Sequence, residues 1–202
     1  MEEMIMLARR LDDVGLDLVF REARTHRRWL DRPVVDDTIR AVYDLMRLGP
    51  TSANCAPARL TFIRSGGAKE RLRPCLAAGN VEQTMTAPIT AIIGYDRRFY
   101  ELLPRLYRQA DARSWFADDE RGAEITAFRN SSLQGAYFMV AARSLGLDCG
   151  PMSGFDNARV DAEFFPGGWI KSNFLCNLGF GAEAELEPRN PRLAFEEACA
   201  VL

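Results

Sequence analysis

A chain of 202 residues, 48% apolar and 27% charged, is long enough for one sizeable core and has the composition of a soluble globular protein rather than a disordered or fibrous one. Its net charge of −2 excludes nucleic-acid binding driven by overall basicity. Among the 26 basic residues only Lys69 and Lys171 are lysines; arginine suits bidentate contacts to phosphate or carboxylate, although a genomic preference for arginine codons gives the same ratio.

Asp12 to Ala23 reads as a helix with Leu11, Val14 and Leu18 on one face, and Asp36 to Leu48 as another, capped by Asp36 or Asp37 with Ile39, Val42 and Met46 at helical spacing. The second delivers the chain to Gly49-Pro50-Thr51-Ser52-Ala53-Asn54-Cys55-Ala56-Pro57-Ala58-Arg59. There Gly49 suits a left-handed helix end, and Pro50 and Pro57 stiffen the backbone, so that Thr51, Ser52 and Asn54 are held in fixed directions. Such a loop can lie against a flat polar ligand, or it is an ordinary turn into the next strand. Leu60 to Ile63 reads as a short strand, Ala68 to Ala78 as a helix containing Pro74, and Pro88 to Tyr95 as a buried strand. Arg97 to Asp119 is either a helical lid or a surface insertion whose aromatic residues cover the core. Ala123 to Leu145 reads as one long helix, apolar on nearly every side from Leu133 to Ala142 and therefore buried in the core or between subunits. Gly146 ends it, Gly150 to Phe155 forms a second rigid turn, Asn173 to Leu178 a third strand, and Asn190 to Leu202 closes with a short helix. The alternation predicts a sheet covered by helices, in a single domain over residues 1–202 without repeat or linker.

Five cysteines, Cys55, Cys75, Cys149, Cys176 and Cys199, with no C-x-x-C pair support neither a disulfide framework nor a zinc site; free thiols point to a reducing cytoplasm. Met1 to Leu7 lacks the basic start of a signal peptide, and no stretch approaches the ~20 apolar residues of a membrane span. The single histidine, His26, excludes a His-rich metal site within one chain, and its neighbours Arg24, Arg27 and Arg28 make it a poor general base. An enzyme built this way would draw its chemistry from a cofactor. Gly179-Phe180-Gly181-Ala182-Glu183-Ala184 matches G-x-G-x-x-A formally, but Pro188 and Pro191 break any following helix, so a turn is expected there. The Arg24 to Trp29 cluster, and Arg189 with Arg192, could each hold a phosphate; either also reads as solvated surface.

Taken in order, Ala23-Arg24-Thr25-His26, Gly49 to Cys55, Asp111-Ala112-Arg113-Ser114-Trp115-Phe116, Phe128-Arg129-Asn130-Ser131-Ser132, Gly150-Pro151-Met152-Ser153-Gly154-Phe155-Asp156 and Pro191-Arg192-Leu193 resemble the nitroreductase family of FMN-dependent oxidoreductases. Within it they resemble the branch that includes the malonic semialdehyde reductase of pyrimidine breakdown. The resemblance implies an α+β fold, a three-layer α/β/α sandwich with a mixed, mainly antiparallel sheet, in an intertwined homodimer holding FMN in two interface clefts. It places Arg24, Thr25, His26, Arg28 and Arg192 at the FMN phosphate and ribityl chain. Pro50, Thr51, Ser52 and Asn54 fall beside the flavin, partly from the other subunit. Asn80 and Gln83 fall at the pyrimidine edge, and Pro151, Met152, Ser153 and Gly154 over the ring face. His26 and Ala56-Pro57-Ala58 depart from the family's commoner motifs, which argues against generic nitroaromatic reduction as the main role.

The implied reaction is ping-pong: NAD(P)H reduces the flavin at N5, and the reduced flavin passes the hydride to a small acceptor, with Arg113 as a candidate clamp for the acceptor's carboxylate. No side chain is assigned as proton donor. The competing readings are a broad NAD(P)H quinone or nitro-compound reductase and, in another class, a flavin-binding protein without turnover. Neither nucleic acid nor membrane is an expected partner.

Overall fold

The structure, a computed structural model, describes residues 10–183 and 186–202; the expectation for Met1 to Leu7 and Ala184 of the glycine motif lie outside these residues. The sheet is organised around β2, Ile89–Asp96, whose Ile-Thr-Ala-Ile-Ile run is buried throughout and has the β-branched composition of a central strand. β2 pairs with β1, Ala58–Ile63, on one side and with β4, Ile170–Gly179, on the other. β3, Asp148–Met152, adds to the far edge of β4, giving the order β1-β2-β4-β3 with every strand pairing antiparallel. The parallel contact of the sheet is an isolated bridge from Thr25 to Cys149, which lays the arginine-rich segment along β3.

Alternation along β2 sorts the core into two faces. Ile89, Ala91 and Ile93 pack with Val42 and Met46 of α2, Asp36–Met46, and with Phe138 and Ala142 of α6, Glu120–Ser144. Ile92 packs on the opposite face with Leu72 of α3, Gly66–Leu72, and Val160 of α7, Asn157–Phe164. Helices on both faces make the three layers. Each fully buried Ile, Leu or Phe contributes about 1.5–3 kcal/mol, so substitution of Ile89, Ile92 or Ile93 on β2 is costly.

Several boundaries differ from the sequence reading. The helix expected over Asp12 to Ala23 is a short α1, Asp13–Leu16, continued by one π-helical turn, Asp17–Arg21. Its supposed inner face is exposed, with Val14 at 75% and Leu18 at 48%. The helix expected over Ala68 to Ala78 is cut by Pro74, which lacks the N–H a helix interior needs: α3 passes into a 3-10 turn, Arg73–Cys75, and a separate α4 spans Ala78–Thr86. Gly150 to Met152, read as part of a turn, belong to β3; Pro151 is tolerated there because β3 is an edge strand. α7 had no sequence signal strong enough to be placed. Gly146, at φ +77°, does terminate the long helix.

The segment after β2 folds into a 3-10 turn Phe99–Leu102, α5 Leu103–Leu106 and a 3-10 turn Ala112–Trp115. Phe99, Leu103 and Ala112 form a small core with Cys55, Ala123 and Ala127, so the segment is packed onto α6 by its own apolar residues. The chain ends in a single-turn α8, Phe195–Ala198, and no helix of the described residues is long and apolar enough to cross a membrane.

Candidate active site

The strand-like pairing of Thr25 with Cys149 fixes a pocket of about 500 Å³ beside β3. Six arginines line it: Arg24, Arg27 and Arg28 from the segment after the π turn, Arg143 from the last turn of α6, and Arg189 and Arg192 from the C-terminal tail. Thr25 and His26 complete the wall. Four of these guanidiniums are committed to backbone oxygens. Arg24 donates to Glu187 O, Arg143 to Val19 O at 3.2 Å, Arg189 to Arg21 O at 2.6 Å and Ala23 O at 3.0 Å, and Arg192 to Asn190 O at 2.8 Å. A carbonyl orients a guanidinium without cancelling its charge, so the pocket stays strongly positive. Only Arg28 is paired to a carboxylate there among the described residues, that of Glu82 on α4.

Two nitrogens in this wall, Nδ1 of His26 and Nε of Arg143, are buried without a hydrogen-bond partner. His26 is 4% exposed; its Nε2 lies 3.3 Å from Asp148 Oδ1, and its backbone N–H donates to Cys149 O at 3.0 Å. The ring sits against Gly181, whose N–H donates to Asp148 Oδ2 at 2.8 Å. A Cβ on Gly181 would fall 1.9 Å from Nδ1, and one on Gly150 2.5 Å from His26 O, so both glycines exist for close approach. The formal dinucleotide motif is therefore a packing device for His26, with no α-helix among the described residues between Gly181 and α8.

The same segment reaches α4 through Trp29, whose Nε1 donates to Gln83 O at 3.0 Å. Gln83 Nε2 donates to Asn80 Oδ1 at 2.5 Å, and Asn80 Nδ2 to Gly154 O at 2.8 Å. Arg24, Thr25, His26, Arg28, Asn80, Gln83, Arg192 and the Pro151 to Gly154 stretch thus form one connected region. Met152 enters it with its backbone only: its side chain is buried in the core, where Thr84 Oγ1 donates to its sulfur at 3.4 Å.

The Gly49 to Arg59 loop is held elsewhere. Asn130, Gln134 and Tyr137, on one stripe of α6, bind it through Ser52 N (2.9 Å), Ala58 N (2.9 Å) and Pro50 O (3.1 Å). Thr51 Oγ1 accepts from Ala56 N at 3.1 Å and Asn54 Nδ2 donates to Leu106 O at 2.8 Å, so these two side chains brace the loop itself. Gly49 is not left-handed, contrary to expectation; it is a glycine because a Cβ would fall 2.1 Å from the Tyr137 ring. The positive φ values belong to Ala53 (47°), Asn54 (50°) and Ala56 (38°), three non-glycine residues held in a disfavoured region. Among the described residues this loop makes no hydrogen bond to the arginine pocket. Cys55, at its centre, is fully buried, which pushes its thiol up to about 11 and leaves it inert.

The sequence model described as the nitroreductase family matches residues 20–166. The chain belongs to the nitroreductase family. A Ralstonia nicotianae protein, provisionally named NADH dehydrogenase/NAD(P)H nitroreductase, is 56% identical over 192 residues, covering 95% of this chain and 98% of that one. In fold the chain is similar to a provisionally named nitroreductase of Bacillus subtilis, with TM-score 0.85 at 19% identity over 94% of this chain and 99% of that one. It is likewise similar to a provisionally named nitroreductase from Exiguobacterium sibiricum solved in complex with FMN, with TM-score 0.84 at 20% identity over 96% and 99% of the two chains.

In this nitroreductase-family chain Arg113 does not join the pocket region. It makes a two-pronged pair with Glu101, 2.9 Å from Nε to Oε2 and 3.0 Å from Nη2 to Oε1, and the guanidinium holds the Glu101 carboxyl below the usual carboxylate range. Reading the sequence missed Arg143; its one signal was a lone arginine at the end of an otherwise apolar helical run. Missed too was Trp29 as the tie between the arginine segment and α4.

Proposed function

We propose that this chain is an FMN-dependent NAD(P)H oxidoreductase that works as a homodimer and reduces a small aldehyde, malonic semialdehyde, to its alcohol. The observation that carries the cofactor is the six-arginine pocket, four of whose guanidiniums are oriented by backbone carbonyls. A phosphate monoester brings about −1.5 to −2 charge and several acceptor oxygens, which matches the guanidiniums of Arg24, Arg143, Arg189 and Arg192 that backbone carbonyls orient without cancelling their charge. A neutral sugar or nucleobase alone would leave that charge unmatched.

In this reading Arg24, Thr25, Arg28 and Arg192 bind the phosphate and ribityl chain, His26 supports that wall from behind, and Asn80 and Gln83 present amides to the flavin's pyrimidine edge. Ser153 and Gly154 would face the ring with their backbone. Bound FMN supplies hydride transfer between NAD(P)H and the acceptor. The residues orient both partners, exclude water and hold charge in place.

The dimer rests on two features of one protomer. α6 leaves Ile125, Phe128 and Leu133 exposed at 46%, 49% and 43% along one stripe, which needs a cover. The strained loop from Pro50 to Asn54 is also braced against α6 through its backbone, Ser52 N–H donating to Asn130 Oδ1, while the Ser52 hydroxyl makes no hydrogen bond among the described residues. A second copy docked on the α6 stripe would cover the first feature and bring the loop to the other protomer's flavin.

One observation favours a second reading of the acceptor. Arg113, the candidate carboxylate clamp, is already engaged by Glu101, which suits a broad quinone or nitro-compound reductase with no carboxylate to bind. Turnover with NAD(P)H on malonic semialdehyde, a quinone and a nitroaromatic separates them. A kcat/KM for the semialdehyde below that for the quinone overturns the proposed substrate and leaves the cofactor assignment standing.

A further inference from the structure

Lys69 is one of two lysines in the chain and is 4% exposed. Its ammonium has no carboxylate partner among the described residues. Its three protons are spent on Thr84 O, on Ala87 O at 2.8 Å and on Thr90 Oγ1 at 3.2 Å. Two of these acceptors are carbonyls at the C-terminal end of α4, whose C-cap residue, Ala87, is extended rather than a left-handed glycine. The neighbouring carbonyl, Gln83 O, accepts from Trp29 Nε1 and from Asn177 Nδ2 at 3.1 Å, and Thr90 Oγ1 donates to Asn177 Oδ1 at 2.7 Å. The end of α4 is thus tied by α3, β2 and β4 together.

Burying an ammonium is costly, and burial pulls this one down to about 8. Methionine, of similar length, would fill the space without that desolvation but would leave the two carbonyls and the Thr90 hydroxyl without this donor, so the lysine serves as a buried cap for the end of α4. What the ammonium does is fix the last turn of α4, the helix that carries Asn80 and Gln83, and with it the Asn80 contact to Gly154.

We propose that Lys69 is a positioning residue of the flavin site, holding the Asn80 and Gln83 face of α4 at the isoalloxazine end while touching no ligand itself. The inference rests on the cofactor reading above. It also predicts a pattern: loss of Lys69 should weaken the ring end and leave the phosphate end intact.

The test is titration of flavin-free full-length protein with FMN and with riboflavin, followed by flavin fluorescence, with chemical unfolding in parallel. Lys69→Met should weaken both ligands by the same factor, about tenfold, equivalent to about 1.4 kcal/mol. Thr90→Val, which keeps the lysine but removes its hydroxyl acceptor and the hydroxyl's own bond to Asn177 Oδ1, should weaken both by about threefold, a smaller share of the same free-energy scale. Folded Lys69→Met that binds FMN as the wild type does, or that loses FMN but not riboflavin affinity, overturns the inference. Should Lys69→Met not fold, Thr90→Val decides: unchanged affinity for both flavins overturns it. A wild-type protein that binds no FMN overturns the cofactor reading and this inference with it, whereas wild-type binding with unaltered variants overturns this inference alone.

Discussion

Gly181→Ala is the sharpest local perturbation of the pocket wall. Gly181 does not need positive φ, so alanine is allowed by its backbone and the whole effect is contact. The new Cβ would lie 1.9, 2.2 and 2.3 Å from Nδ1, Cγ and Cε1 of His26, where non-bonded carbons prefer about 3.5 Å or more. The ring has nowhere to go: it is 4% exposed, and its backbone N–H is bound to Cys149 O at 3.0 Å. Asp148 accepts from Gly181 N and faces His26 Nε2 with the same carboxylate, so moving the ring disturbs that contact too. Overpacking costs about 1–3 kcal/mol, and partial loss of the carboxylate contact brings the expected destabilisation to about 2–4 kcal/mol, out of a total of about 5–15 kcal/mol. Urea unfolding of flavin-free protein at fixed concentration reads this as a midpoint lowered by about 1–2 M at an unchanged slope of about 2 kcal/mol/M. Combining it with His26→Ala removes the obstructing ring, so the double variant should be more stable than the sum of the single losses by at least about 1 kcal/mol. A Gly181→Ala midpoint equal to wild type, or strict additivity in the double variant, refutes the close-packed account of the wall.

Arg24→Ala and Arg192→Ala should each weaken FMN by about tenfold or more while leaving riboflavin affinity within about twofold, because a charge-assisted contact to phosphate is worth about 1.5–3 kcal/mol; equal losses for both ligands would place these arginines elsewhere. Ala56→Gly, at φ 38°, should raise stability by up to about 1 kcal/mol in thermal unfolding by relieving a left-handed residue, with a lower Tm contradicting the strain. A thiol reagent at neutral pH should modify one cysteine quickly, the exposed Cys199, and the four buried ones only on unfolding. Because burial raises the Cys55 thiol from 9 to about 11, the unfolded chain gives up that proton first; its stabilising share is full below pH 9 and is lost as pH rises through 11. Cys55→Ala should therefore flatten the decline of stability across that window, and an unchanged slope there would refute it. Phe128→Glu, on the uncovered α6 stripe, should shift sedimentation from dimer to monomer and abolish FMN binding together; a monomer that keeps FMN would separate the site from the interface.

The sequence made the site's chemistry more legible than its supports. Arg24, Thr25, His26, Arg28 and Arg192 stood out because charged and hydroxylated residues cluster in short strings, but only the resemblance to the nitroreductase family singled them out from solvated surface; β2 was legible because a buried β-branched run has few alternatives. The loop from Gly49 to Arg59 was visible as rigid, but the reason for the rigidity was not. It comes from Asn130, Gln134 and Tyr137, at least 71 positions away, a tertiary bracing that no local pattern encodes. Pro151 pointed to a turn because proline lacks a donor; only its place on an edge strand reconciles it with β3. Gly49 and Gly181 looked like conformational glycines, yet both answer to an aromatic ring packed against them from elsewhere in the chain.

The visible absorption spectrum of the purified full-length protein, before and after anaerobic addition of NAD(P)H, tests the central claim most directly. The account predicts a yellow protein whose flavin bands bleach on addition of the nucleotide and return with an electron acceptor. A colourless protein with no thermal shift on added FMN would contradict the cofactor assignment, and a yellow protein that NAD(P)H leaves unbleached would contradict the oxidoreductase assignment.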